Sequence, residues 1–219
     1  MEPYKMVRIV LNEFEFNDEH KQQFLYDEIL DILHKHNFPG ATAYRSSEGI
    51  SGDGIFRMAL LEDPAYNNLP VVVESAGKHL QVEAAVRDLR LRLTKGEILV
   101  MEGYKLMKEE HLDPGRHYML KIFLQESHKW FESPLYQTIL EDLNERGFIW
   151  TTVTKGIEGF GRNHPIHEDS SFFSFHAAEP VIIETAASGA IINEMIPALR
   201  EKVTEGFIFV TPVDVILDQ

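Results

Sequence analysis

Leu69-Pro70-Val71-Val72-Val73-Glu74-Ser75 returns as Glu179-Pro180-Val181-Ile182-Ile183-Glu184-Thr185, displaced by 110 residues. The same displacement carries Tyr26, Ile29, Leu30 and Leu33 onto Tyr136, Ile139, Leu140 and Leu143, and Gly96, Ile98 and Val100 onto Gly206, Ile208 and Val210. Near the start it becomes 113, where Arg8-Ile9-Val10-Leu11 meets Lys121-Ile122-Phe123-Leu124, so the first copy holds three extra residues between its first strand and first helix. A period this long is a whole small domain, since solenoid units repeat every 20–50 residues or so. The chain reads as a tandem duplication with domains at 1–108 and 114–219 and a linker over 107–116.

Each copy carries one order of periods. Apolar runs at Met6–Leu11 and Met119–Leu124 predict strands, and a helix follows each. In the second copy Ser133 suits an N-cap, Pro134 suits the first helical position, and Gly147 marks the stop. In the first, Leu25, Ile29 and Leu33 form the stripe, ending near Asn37-Phe38-Pro39-Gly40. β-rich stretches follow at Ala41–Arg45 and Ile149–Lys155, then a loop, then the Pro-Val-Val-Val and Pro-Val-Ile-Ile strands. Leu80, Val86, Leu89 and Leu93 mark a second helix; its counterpart carries Ile192, Met195, Ile196, Leu199 and Val203, with Pro197 predicting a kink or restart. Ile98-Leu99-Val100 and Ile208-Phe209-Val210 close the units. The order β-α-β-β-α-β predicts an α+β class with two ferredoxin-like domains, each an antiparallel sheet with its helices on one face.

Val71-Val72-Val73 and Val181-Ile182-Ile183 do not alternate polar with apolar, so both faces of these strands must be covered. Two helices cover one face, and the other must meet the sister repeat or another chain. A homo-oligomer is the expectation.

Composition narrows the function. A net charge of −14 opposes binding to phosphate backbones, which excludes nucleic acid as an expected partner. The absence of cysteine removes disulfides, thiolate metal sites and cysteine nucleophiles. Met1-Glu2-Pro3 lacks the features of a signal peptide and no apolar run approaches about 20 residues, so no membrane insertion and a cytoplasmic location are expected.

The second copy's Glu126-Ser127-His128-Lys129-Trp130, Pro134-Leu135-Tyr136, Lys155-Gly156-Ile157-Glu158-Gly159-Phe160-Gly161, Ile166-His167 and Pro180-Val181-Ile182-Ile183-Glu184 resemble domain of unknown function 190. That family is similar to the PII signalling proteins and shares their ferredoxin-like fold. The first copy resembles it less: it lacks the Trp, has Ser46-Ser47-Glu48-Gly49-Ile50-Ser51 in place of the glycine-rich motif, and puts Arg57 where His167 stands. The resemblance implies a trimer that binds small effectors, often adenine nucleotides, between subunits. It also implies signalling to a protein partner through the loop at 156–171. Glu205-Gly206-Phe207-Ile208-Phe209-Val210 is similar to the PII phosphate loop, with Phe207 and Thr204 replacing a lysine and a glycine.

Three groups of residues are candidates for chemistry. The loop from Lys155 to Arg162 combines three glycines, which let backbone N–H groups approach an anion, with two cations. Lys155, Gly156, Glu158, Gly159, Gly161, Arg162, Gly206 and, at the loop's far side, His167 form the expected ligand-binding set. His164, His167, Glu168, Asp169 and His176 offer metal-ligand chemistry, of which His164 and His167 are the candidates; the copper-tolerance protein CutA shares the fold. Against this stands an ordinary run of exposed loop histidines. Glu74 and Glu184, placed at matched strand ends, would do acid–base work if they met across a subunit boundary, and are otherwise solvated. No Ser-His-Asp arrangement, dinucleotide fingerprint or metalloprotease helix is present. The expectation is a non-enzymatic PII-like sensor of a small anionic effector such as a nucleotide. A metal-binding CutA-like protein and an enzyme using carboxylates at a subunit boundary are the alternatives.

Overall fold

The apolar runs become strands and the 3.6-residue stripes become helices in the computed structural model, which describes residues 2–16, 23–52, 54–59, 68–106, 111–126, 133–161, 179–204 and 206–216. The elements of the first repeat are β1 (Glu2–Asn12), α1 (Leu25–Lys35), β2 (Ala41–Arg45), β3 (Glu48–Ile50), β4 (Phe56–Met58), β5 (Pro70–Gly77), α2 (His79–Arg92) and β6 (Glu97–Lys105). The second repeat follows as β7 (His117–Glu126), α3 (Leu135–Glu145), β8 (Thr152–Lys155), β9 (Glu158–Phe160), β10 (Glu179–Ser188), α4 (Gly189–Lys202) and β11 (Gly206–Val213). The result is a mixed α/β chain with two repeats and sheets that carry helices on one face. No described helix is long and apolar enough to cross a membrane.

Two compact units form, and each contains a piece from beyond its own repeat. Unit N comprises Lys5–Met101 and Gly156–Phe160; unit C comprises Met1–Tyr4, Glu102–Lys155 and Gly161–Gln219. In unit N the strand order is β6-β1-β5-β2-β9, and β9 completes the sheet from the second repeat's loop. In unit C the order is β8-β10-β7-β11-β6. The short hairpin β3–β4 forms a separate two-stranded ladder in unit N.

The core of unit C lies between one face of its sheet and its two helices. Leu120, Ile122, Val181, Ile183, Ile208 and Val210 meet Ile139, Leu143, Ile192, Met195 and Leu199 there. The intervening residues point to the other face, and they are buried too: Val72 and Ile182 expose 3% and 4%. Residues on both faces of these strands are thus buried, as the unalternating runs require.

Both first helices end in the same motif. Gly147 at φ +80° and Asn37 at φ +59° adopt the left-handed conformation. The following N–H of Phe148 or Phe38 reaches back to the carbonyl of Leu143 or Leu33, and each Phe is buried.

Several sequence expectations are corrected by the geometry. Helix α3 is not capped by Ser133: Pro134 occupies the cap position with no side-chain bond. The buried Glu126 carboxylate accepts instead from the N–H groups of Leu135 and Tyr136, at 3.1 and 2.7 Å, placing negative charge on a helix N-terminus. Of the kink or restart expected at Pro197, the restart is absent: helix α4 runs through it. Leu80 is exposed rather than part of the buried stripe of α2, which is formed by Val82, Ala85 and Leu89. Ile149 and Trp150 precede β8 instead of belonging to it, with Trp150 at φ +54°. Within the supposed linker, Leu112 is buried, and its N–H and carbonyl are both bonded to the Asn193 side-chain amide.

Candidate functional site

The two carboxylates placed at strand ends by the sequence lie in mid-strand. Arg8 stands opposite Glu74 in the β1–β5 register, and Lys121 stands opposite Glu184 in the β7–β10 register. Both pairs close, at 2.6 and 2.7 Å. Arg8 also donates to the Tyr44 hydroxyl at 2.7 Å. Each carboxylate is thus paired with a cation of its own repeat, and Glu74, fully buried in mid-strand, is not the solvated strand end that was expected. The Arg8 guanidinium is held above its ordinary pKa: burial lowers it, and the hydrogen bond and charge of Glu74 outweigh that.

The ligand set expected in the second repeat is divided between the units. Lys155 ends β8 in unit C, bonded to Glu179 at 2.7 Å and lying 5.6 Å from the Tyr136 ring centre. That bond raises its pKa, so the ammonium is already committed. Gly156, Glu158 and Gly159 belong to unit N, where Gly159 stands opposite Thr42 and Glu158 opposite Ala43. Gly161 packs against Gln125 in unit C. Gly206 has a packing reason: a Cβ there would lie 2.5 Å from Val203 Cγ1 and 2.6 Å from the Phe123 carbonyl. Arg162, His164, His167, Glu168, Asp169 and His176, with Ser127 to Trp130 and Glu205, lie outside the described residues. Among the described residues no group of three His, Asp or Glu side chains could hold a metal ion.

A concave site does occur, in the first repeat. A cavity of about 690 Å³ in unit N is lined by Val10, Leu11 and Asn12 of β1, by Ile50-Ser51-Gly52, by Asn68 and Pro70, and by Glu15 and Lys95-Gly96-Glu97. These segments correspond, at the 110-residue offset, to Phe160-Gly161-Arg162 and to Glu205-Gly206-Phe207, the two stretches singled out in the second repeat. Gly96, at φ +111°, makes the wall: a Cβ would stand 2.6 Å from the Val10 carbonyl, so only glycine lets this turn close against β1. Opposite, the Ser51 N–H donates to the Ile55 carbonyl and the Gly54 N–H to the Ser51 carbonyl, forming the tight turn of the hairpin.

Ser51 is the decisive residue of this cavity. It is 94% buried, yet its hydroxyl has no hydrogen-bond partner among the described residues. A buried hydroxyl without a partner costs about 1–3 kcal/mol, so such groups are rare unless something else binds there. Around it stand one ammonium, two carboxylates, two amides and the apolar surfaces of Val10, Leu11, Ile50 and Pro70. Asn68 Oδ1 accepts from the Phe14 N–H at 2.8 Å, and Asn12 donates to Glu15 at 3.2 Å, so both amides are fixed in place. The set can hold a polar molecule with an apolar side. The sequence does not mark Ser51 and Lys95, because the glycine-rich motif stands in the second copy. Carrying that copy's loop and turn back by 110 residues finds both.

A second cluster lies where β9 joins β2. The Glu158 carboxyl, next to Asp27 and Asp31 of α1, is pushed up to about 8, first by burial, then by its hydrogen bond to Asp27 and the two negative charges. Burial, with the charges of Asp27, Glu158 and Glu13, also holds the Tyr26 phenol well above its ordinary range, and Arg45 opposes the shift.

The duplicated order of elements has a counterpart among known proteins. The family described as DUF190, Uncharacterized ACR, matches residues 4–104 and again 117–215. The chain belongs to this family. It carries the DUF190 unit twice, and its relatives show the unit's length. A UPF0166 protein of Aquifex aeolicus is 29% identical over 98 residues, which is 45% of this chain and 91% of that protein. A UPF0166 protein of Methanocaldococcus jannaschii is 34% identical over 94 residues, or 42% of this chain and 85% of the relative. One repeat thus spans nearly a whole relative. Among solved structures, an unknown protein from Galdieria sulphuraria aligns over 97% of this chain and 100% of its own at 13% identity, with a TM-score of 0.29. A mutant chlorite dismutase from Candidatus Nitrospira defluvii aligns over 97% and 92% at 9% identity, with a TM-score of 0.28. Both overlaps are too slight to argue from.

Proposed function

We propose that this DUF190 protein is a non-enzymatic, PII-like regulator with two ferredoxin-like repeats, and that its effector binds in the cavity of the first repeat. The observation that carries this reading is a cavity of about 690 Å³ lined by Lys95 and by Ser51, whose buried hydroxyl has no partner among the described residues. A nucleotide suits the lining: phosphate toward the Lys95 ammonium, ribose hydroxyls donating to Glu15 and Glu97, and the base against Val10 and Ile50. The single cation and two carboxylates favour one anionic group accompanied by hydroxyl donors over a compact polyanion. A homo-oligomer belongs to the same reading, as a trimer of two-repeat chains.

Thermal shift is the test. A ligand that binds only the folded chain raises stability by about 2.7 kcal/mol at a hundredfold excess over its Kd. AMP, ADP and ATP are compared with adenosine and inorganic phosphate, with Ser51→Val and Lys95→Gln as controls. The reading expects a nucleotide-induced shift that both substitutions reduce at least tenfold in affinity. No shift with any nucleotide, or a shift that survives both substitutions, overturns it.

A further inference from the structure

The seat that Phe160 fills in unit N has a counterpart in unit C. Phe160 of β9 is buried, edge-on to the His34 ring of α1 with centres 5.1 Å apart, and stands opposite Ala41 of β2. The 110-residue displacement carries His34 and Ala41 onto Asn144 and Thr151. Both line a hollow of about 530 Å³ in unit C, together with Leu140, Phe148, Ile149 and Trp150. The Thr151 hydroxyl oxygen is buried with no hydrogen-bond partner among the described residues, while Ile149 and Trp150 are exposed. The sheet edge beside this hollow is open. Strand β8 has β10 as its one neighbour among the described residues, whereas its counterpart β2 lies between β5 and β9. Thr152-Val153-Thr154-Lys155 favours strand pairing and contains no proline to discourage it. The counterpart of β9, Glu158-Gly159-Phe160, is β3, Glu48-Gly49-Ile50. Among the described residues β3 pairs with β4 alone. Gly49 faces Pro70, because a Cβ there would lie 2.8 Å from Pro70 Cγ. Ile50 points to the other face beside Phe56, and it exposes 71% where its counterpart Phe160 exposes 3%. The match of a buried anchor is thus left in solvent, and the match of its seat is left as a hollow.

We propose that β8 of one copy of this chain binds β3 of a second copy, in the register that β9 uses on β2, with Ile50 entering the hollow beside Trp150. That register sets Ile50 opposite Thr151, Gly49 opposite Thr152 and Glu48 opposite Val153. It brings the Ser47 N–H to the Val153 carbonyl, as the Ile157 N–H meets that of Ala43 at 2.8 Å. In such a strand addition the backbone pairing supplies affinity and the side-chain pocket supplies selectivity. β3 and β8 are different surfaces, so the contact is head-to-tail and each copy both gives and receives a strand. This names a surface for the homo-oligomer of the proposed function and is independent of the effector.

The chain has no cysteine, so introduced thiols report a single contact. Full-length Glu48→Cys and Val153→Cys chains are treated with a short bifunctional thiol reagent, each alone and then mixed, without nucleotide. Residues opposite each other in paired strands stand about 5 Å apart at Cβ, within the reagent's span. The expected result is that the mixture forms cross-linked pairs roughly tenfold or more faster than either variant alone. Adding Ile50→Asp to the Glu48→Cys chain should abolish that gain. No excess in the mixture overturns the proposal, and so does faster linking of Val153→Cys alone, which means that β8 pairs with β8. An oligomer in sedimentation that lacks the mixed cross-link overturns this surface and leaves the homo-oligomer standing. Should a cysteine variant fail to fold, sedimentation of the unaltered chain against Phe56→Lys decides. Association that Phe56→Lys abolishes supports the docking; a monomeric unaltered chain, or association that survives the substitution, overturns it.

Discussion

Removing Arg8 and removing Glu74 destroy the same ion pair, yet the two losses should differ several-fold. The Glu74 side chain has 0% exposure and the Arg8 side chain 32%. Arg8→Met leaves a fully buried carboxylate without its guanidinium, the situation that costs about 3–5 kcal/mol. Glu74→Gln leaves a guanidinium that water can reach, and about 1–2 kcal/mol is expected for the weakened bond. At about 2–4 °C per kcal/mol for a chain of this size, the first should lower Tm by roughly 6–20 °C and the second by roughly 2–8 °C. The second repeat inverts the burial: Lys121 exposes 6% and Glu184 39%. There the order should reverse. Lys121→Met replaces a buried ammonium by an apolar chain of similar length and costs less than about 1 kcal/mol, whereas Glu184→Gln deprives a buried cation of its counter-charge and costs about 2–3 kcal/mol. Calorimetry of the four variants at pH 7 checks this. Equal losses within a pair, or the same order of cation and carboxylate in both repeats, would refute the reasoning from burial.

Three further outcomes follow from single positions. Gly206→Ala must push a Cβ into the Phe123 carbonyl and Val203, and a loss of about 1–3 kcal/mol is expected by denaturant unfolding. Trp150→Gly should stabilise unit C by about 1 kcal/mol, because the exposed indole is held at positive φ where glycine is unstrained. Ser51→Ala should leave the unliganded chain as stable or slightly more so, since it deletes a buried hydroxyl that has no partner among the described residues, while weakening any nucleotide-induced shift.

Much of this architecture could be read from residues. The repeated Pro-Val-Val-Val and Pro-Val-Ile-Ile runs placed the central strands β5 and β10, and Gly147 placed the end of α3, because burial and left-handed backbone leave local marks. Caps supplied from far along the chain leave none: Glu126 displaces Ser133 through a contact that sequence separation hides. The pairing of Arg8 with Glu74 was hidden for the same reason, since it depends on strand register. The candidate site was legible only in part. Glycines in the second repeat looked like an anion loop, but Gly206 answers to packing and Lys155 to Glu179. The first repeat, which lacks that glycine-rich motif, holds a cavity at the matching positions.

The loan of β9 has a practical consequence for anyone who severs this chain. A fragment ending near residue 108 keeps β2 but not the strand that lies along it, so its sheet finishes in a bare row of backbone donors and acceptors. Such a fragment should self-associate through that margin, and adding a peptide spanning residues 156–160 should compete. Duplication here has left the first repeat's sheet dependent on a strand lent by the second.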